Sequence, residues 1–283
     1  MRVDALLRAG LTRSFEFFQP KSAEEADVLE TTLTDLERLS PSFVSVTYRG
    51  GAESRQRTYE LVTRIQSEGR LTPMAHLICV GHSRAELREI LEHYRAAGVE
   101  NLMALGGDRP EGADVTRELE YASELVELAR GLGEFSIGVA AHPDGHPRSV
   151  DRSSDRAHLA AKLALADFAV TQFFFELDQY TTLVDELGAL GVAKPVLPGI
   201  MPVTTLSGVA AMARMGAAVP TWLVRRLEAA HARGPHAVRA EGVAAAIELC
   251  EGLLEAGAPG LHFYTLNRST ATREIHEAVF ARR

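Results

Sequence analysis

The chain has little cysteine: two in 283 residues, Cys79 and Cys250, each inside an apolar stretch. Two are too few for a disulfide framework or a cysteine-rich zinc cluster, and a reducing, cytoplasmic setting is expected. Long apolar runs are missing as well. No window approaches the roughly 18 apolar residues that span a bilayer. The opening MRVDALLRAGLTRS carries Asp4 and Arg8 where a signal peptide needs an unbroken apolar core, so neither export nor membrane insertion is expected. Basic runs are absent too. Thirty Lys and Arg against 38 Asp and Glu give a net charge of -8 with no stripe fit to track phosphates, so nucleic acid is not an expected partner. Glycine (23) and proline (12) are too sparse for a low-complexity chain, and 46% apolar with 24% charged residues is the make-up of an ordinary globular protein.

What is present is one theme repeated. Short β-rich runs at 14–18, 43–48, 74–80, 101–105, 136–141, 168–175, 195–200 and 261–266 alternate with longer stretches of helical periodicity. Ser22 with Glu25 and Ser83 with Glu86 read as capping boxes at helix starts. Gly98, Gly191 and Gly257 stand where helices should stop before a strand. Eight strand–helix alternations without a long polar linker predict an α/β fold: a single-domain (β/α)8 TIM barrel over residues 1–283. The interval 202–259 is too long for one crossover and predicts an extra helix before the last strand, around PTWLVRRLEAAHAR. A doubly wound sheet is the competing architecture, weakened because no strand is followed by G-x-G-x-x-G.

In a barrel the chemistry is done at the C-terminal ends of the strands, so polar residues there are the informative ones. Glu16 lies within Phe15-Glu16-Phe17-Phe18, Thr47 ends the second strand, and His76 is inside the third. Asp108 follows the fourth strand through Gly106-Gly107, His142 and His146 follow the fifth, Gln172 interrupts the sixth, and Arg268 follows the eighth. Each also has a plainer reading. Glu16 could pair with a buried arginine, Asp108 could be a turn residue, and His76 could be a hydrogen-bonded core histidine. If the neighbouring phenylalanines desolvate Glu16, its pKa rises, which suits a general acid. His142-Pro-Asp-Gly-His146 has no third ligand at recognisable spacing, so no metal is expected. Asp155 and Lys162, two helical turns apart, read as a solvated pair, and Phe173-Phe174-Phe175, Met212, Met215 and Trp222 read as packing.

These strings carry a resemblance. SFEFFQPK, FVSVTY, AHLICVGHS, ALGGD, HPDGHP, TQFFF, PGIMPVT and LHFYTLNRST occur in the order and spacing of the methylenetetrahydrofolate reductases, from about residue 11 to 275. Any one is weak; eight in register are specific. The resemblance implies a (β/α)8 barrel that binds FAD, oxidises NADH or NADPH, and passes a hydride to 5,10-methylenetetrahydrofolate, giving 5-methyltetrahydrofolate for one-carbon and methionine metabolism. The chain looks like the short bacterial form without a regulatory domain, and a homo-oligomer is expected.

By the same resemblance, Glu16 matches the general acid that protonates the departing nitrogen as the methylene bridge opens. Asp108 matches a carboxylate touching flavin and pterin, Gln172 a residue contacting folate and nicotinamide in turn, and Arg268 a folate-side basic residue. Met212 aligns with an aromatic folate contact. Thr47, Tyr48, His76, Gly106, Gly107, Ala122, His142, His146, Asp155, His158 and Lys162 match flavin-side or nicotinamide-side positions, with Lys162 expected to neutralise pyrophosphate. Several positions depart from the family pattern. Gly106 stands where an arginine often grips the flavin phosphates, His142 replaces an aromatic, Ile78 a threonine, Gln19 a second proline, and Gly208 a glutamine. The departures cluster on cofactor and substrate contacts. They keep open an alternative: a divergent paralogue that binds flavin weakly or not at all, or that reduces another one-carbon pterin.

Overall fold

Strict alternation of strand and helix leaves the chain few ways to fold, and the one it takes is a closed barrel of eight parallel strands in sequence order, β1 to β8. The strands are β1 (Thr12–Phe18), β2 (Phe43–Thr47), β3 (Pro73–Ile78), β4 (Asn101–Leu105), β5 (Ser136–Ala141), β6 (Phe168–Phe173), β7 (Val196–Ile200) and β8 (Gly260–Tyr264). The computed structural model describes residues 1–48, 51–108, 116–268 and 270–281. All eight runs foreseen in the sequence are strands. β3 and β6 each stop two residues short of their apolar runs, because Cys79, Val80, Phe174 and Phe175 continue as buried loop rather than ladder.

Around the barrel lie α1 (Val3–Ala9), α2 (Ala23–Glu37), α3 (Ala52–Glu68), α4 (Arg84–Ala96), α5 (Ala122–Arg130), α6 (Arg152–Leu165), α7 (Leu177–Ala189), α8 (Leu206–Arg214), α9 (Thr221–His231), α10 (Pro235–Glu255) and α11 (Thr270–Phe280). The interval before β8 holds three helices where one extra was expected. Besides the crossover α10, both α8 and α9 form, and they bury their own apolar cluster with Phe173, Phe175, Met201 and Val203 against the end of the barrel. Ser83 and Glu86 make the reciprocal capping box of α4. Ser22 caps α2 through Glu25 N–H, but the Glu25 carboxylate accepts from Lys21 N–H at 2.8 Å, so that box is half made. Gly98, Gly191 and Gly257 all take positive φ at helix ends, a conformation that costs a glycine nothing.

Two cores divide the barrel. Outward-facing strand residues such as Phe15, Phe17, Val44, Val46, Ile137 and Phe263 pack against the helices. Inside, Val3 and Leu7 of α1 plug the N-terminal end together with Phe43, Met74, Met103, Phe168 and Leu197. Above that plug the interior turns polar, and the candidate site begins there.

Candidate active site at the C-terminal strand ends

Glu16 lies on the inward parity of β1, paired in register with Ser45 of β2 and Tyr264 of β8. Side chains alternate along a strand, so Phe15 and Phe17, its neighbours in sequence, face the helices and leave Glu16 among polar groups. Thr47 Oγ1 donates to Glu16 Oε1 at 2.6 Å and Ser45 Oγ to Oε2 at 3.4 Å. His262 Nε2 is 3.3 Å and His76 Nε2 3.5 Å from Oε2. The expected upward pKa shift is therefore corrected. Burial does act to raise it, but His76, His262 and Thr47 outweigh burial and hold the carboxyl at about 2. His76 is in turn pushed below the usual imidazole range by its own burial, against the pull of Glu16. Carboxyl and imidazoles thus compete for one proton and titrate as a unit.

That unit extends further. His262 Nδ1 is 2.8 Å from Ser14 Oγ, giving a buried line Ser14, His262, Glu16 across β8 and β1. Tyr264 donates its hydroxyl to Thr171 O at 2.8 Å, and its ring occupies the space a side chain at Gly199 would need. Neither Ser14, His262 nor Tyr264 was singled out from the sequence. The signal existed: His262 interrupts an apolar strand as His76 does, and strand register places both on the inward face.

The loop after β8 locks this wall. Asn267 Oδ1 accepts from Phe18 N–H at 2.7 Å and its Nδ2 donates to Phe18 O at 2.9 Å, while Thr265 Oγ1 donates to Glu16 O at 2.6 Å. Leu266 and Asn267 have φ of 50° and 56°, a strained choice for non-glycine residues that these bonds hold in place.

The remaining residues foreseen in the sequence sit around the same end of the barrel, differently engaged. Tyr48 is buried with its hydroxyl 3.0 Å from His82 Nε2. Asp108 is exposed just past β4, and Gly107, at φ 78°, brings the backbone against Ile78 and Val80. Ala122 opens α5, and His158 is exposed on α6. His142 and His146 meet edge to face at 4.6 Å, and burial, with His146 and Lys162 nearby, takes His142 down to about 4. Asp155 and Lys162 are not the solvated pair expected. Asp155 Oδ1 accepts from His146 N–H at 2.8 Å and Ser149 Oγ at 3.1 Å, and its Oδ2 from Arg156 at 2.6 Å. Lys162 donates to Ala140 O at 2.7 Å and is lowered to about 8 by burial. Gln172 donates to Met215 O at 3.2 Å, tying β6 to the loop after α8. Met212 is buried in the α8–α9 cluster, and Arg268 lies at the rim beside β8.

A flavin can be tested against these residues. Thr47, His76, Asp108 and Gln172 stand where a ring system over the strand ends would meet them. The diphosphate end fits poorly. Of the two cations that the resemblance assigns there, one is Gly106 and the other, Lys162, is spent on Ala140 O. Gly106 is not held at positive φ, and a Cβ there would meet only Arg117 Nη2 at 3.8 Å. That arginine is itself bonded to Leu119 O and Glu120 O. Among the described residues no group of three His, Cys, Asp or Glu could hold a metal, and no helix is long and apolar enough to cross a membrane.

Comparison with known proteins agrees with this geometry. The family model described as methylenetetrahydrofolate reductase matches residues 2–279. A relative from Pectobacterium carotovorum subsp. carotovorum, named 5,10-methylenetetrahydrofolate reductase, is 34% identical over 96% of this chain and 91% of its own. One of the same name from Escherichia coli (strain K12) is 33% identical over 93% and 88%. A protein from Arabidopsis thaliana named methylenetetrahydrofolate reductase (NADH) 1 is 33% identical over 90% of this chain and 46% of its own. Among solved structures, one described as an uncharacterized protein from Clostridium thermocellum that binds two copies of 5-methyl-5,6,7,8-tetrahydrofolic acid superposes with a TM-score of 0.66. It shares 12% identity and covers 99% of this chain and 97% of its own, a likeness of fold.

Proposed function

The chain belongs to the methylenetetrahydrofolate reductase family, and from that premise we propose that it reduces 5,10-methylenetetrahydrofolate to 5-methyltetrahydrofolate with electrons from NADH or NADPH. The observation that carries the reading is the buried Glu16, His76, His262 and Ser14 cluster at the C-terminal strand ends. Opening the methylene bridge to an iminium needs a proton at the departing nitrogen. Glu16 is the delivery point, and the imidazoles are the reserve: a proton on His76 or His262 and a proton on Glu16 are alternative states of one cluster. Thr47 and Ser45 orient the carboxylate, and Asn267 and Thr265 fix the backbone that carries it. Asp108 and Arg268 stand at the rim as polar contacts for the pterin, and Gln172 swings from Met215 O to reach it.

FAD, when bound, takes the hydride from the nicotinamide and hands it on. Thr47, Tyr48, His76, Gly106, Gly107, Ala122, His142, His146, Asp155, His158 and Lys162 form its proposed border. A second reading is favoured by Gly106 and by the Lys162 bond to Ala140: flavin is held weakly or not at all. Both readings place the enzyme in one-carbon metabolism of a cytoplasmic cell compartment, as a homo-oligomer. The test is purified protein assayed for 5-methyltetrahydrofolate with NADH or NADPH, with and without added FAD. Yellow protein bleached by the nicotinamide supports the flavin reading. Colourless protein that still forms product supports the second, and no product in either condition overturns the reductase assignment.

A further inference from the structure

Outside the proton cluster, the described residues form a cavity of about 420 Å³ between the end of β1, the start of α2 and the β8–α11 loop. Its lining joins three chemistries. Val28 and Leu266, 51% and 39% exposed, give it an apolar flank. Lys21 and Arg268 bring two cations, and the N-terminal turn of α2 adds the positive end of its dipole. Gln19 is 4% exposed, and its Nε2 is fixed on Ser54 Oγ at 2.5 Å. That leaves Gln19 Oε1 buried with no hydrogen-bond partner. An unsatisfied buried acceptor costs free energy that a donor from a ligand restores. The two acids on the lining weigh less than they seem. Glu25 spends its carboxylate on Lys21 N–H, and Glu24 sits in the first helical turn, where the dipole offsets its charge.

An apolar flank, one acceptor seeking an N–H, and cations at the rim describe a ligand with amide linkages and carboxylates. Glu16 is three residues before Gln19, at most about 11 Å of extended chain, so such a ligand continues directly from the reducing centre. We propose that this cavity binds the γ-linked glutamyl extension of the folate substrate. Gln19 Oε1 accepts the N–H of the first γ-glutamyl linkage, and Lys21, with Arg268, takes the carboxylates that follow. The inference rests on the reductase reading and adds a determinant of substrate length to it, Gln19 being the residue that departs from the family's proline.

The test is calorimetric titration of the full chain with 5-methyltetrahydrofolate carrying one glutamate and carrying three. The wild type is expected to bind the triglutamate about tenfold more tightly, the scale of one charge-assisted contact. Gln19→Leu and Lys21→Ala should each cut that ratio to about threefold or less. Lys21 is exposed, so its variant keeps the test available should Gln19→Leu fail to fold. Equal binding of the two forms by the wild type would overturn the glutamyl subsite while leaving the reductase reading intact. A preference unchanged in both variants would overturn the assignment to these residues. Failure of both forms to bind would overturn the reductase reading, and the subsite with it.

Discussion

The two sides of the barrel mouth are built on opposite plans. On the β1, β2, β3 and β8 side, side chains from four strands converge on one carboxylate, and each spends its polar atoms on the others. On the β4, β5 and α6 side, Asp155, Lys162 and Arg117 bond instead to backbone of their own loops and strands. Convergence preorganises proton transfer, because the groups are already oriented before substrate arrives. Bonds made inward leave a diphosphate to be gripped by less. The contrast separates what the chain holds rigidly, its acid, from what it has relaxed, its cofactor anchorage.

The contrast breaks most sharply at Glu16. Glu16→Gln should lower folate reduction at least about 10²-fold while nicotinamide oxidation by added flavin is unchanged, read as separate half-reactions. Equal losses in both would mean that the two sides act as one. Asp108→Asn comes next. If Asp108 faces the pterin, folate affinity should fall about ten- to a hundredfold; if it only shapes the turn after Gly107, asparagine should be silent.

Restoring a cation on the loose side is a gentler change. Gly106→Arg should tighten FAD about tenfold in an equilibrium titration, since the position has ordinary φ and open space for a Cβ. The neighbouring Arg117 guanidinium offsets part of that gain through like-charge repulsion. Unchanged affinity would put the phosphate grip elsewhere.

His276 supplies the smallest effect and a control. It is buried on α11 beside Phe15 and Phe280, both ring nitrogens lack partners, and burial, with Arg13 nearby, lowers it to about 4. The fold therefore prefers the neutral ring. This contribution is complete above the ordinary imidazole value of about 6.5 and is lost as pH falls from there toward 4, on the order of 3 kcal/mol in all. Thermal melts should show Tm falling between pH 7 and pH 5, with His276→Phe flattening part of the fall and leaving the pH dependence of turnover unchanged.

Much of this was legible in the sequence because barrel strands announce themselves by apolar runs and helix stops. Glu16 was legible as a carboxylate among aromatics. Its environment was not, because neighbours in sequence lie on opposite faces of a strand, and the imidazoles that set its proton affinity come from β3 and β8. Lys162 and Asp155 show the same limit: helical spacing put them on one face, but only the packed structure shows each bonded to a different partner. Gln19 read merely as a missing proline until its orphan acceptor and the cavity beside it came together.

The most direct test of the proton cluster is the single-turnover rate of 5-methyltetrahydrofolate formation measured from pH 8.5 down to pH 5. With Glu16 held low by its imidazoles and His76 lowered by burial, the protonated cluster is scarce at neutral pH, so the rate should keep rising as pH falls below 6.5. A rate that has already levelled off at pH 7 would contradict the account and return Glu16 to an isolated carboxyl with a raised pKa.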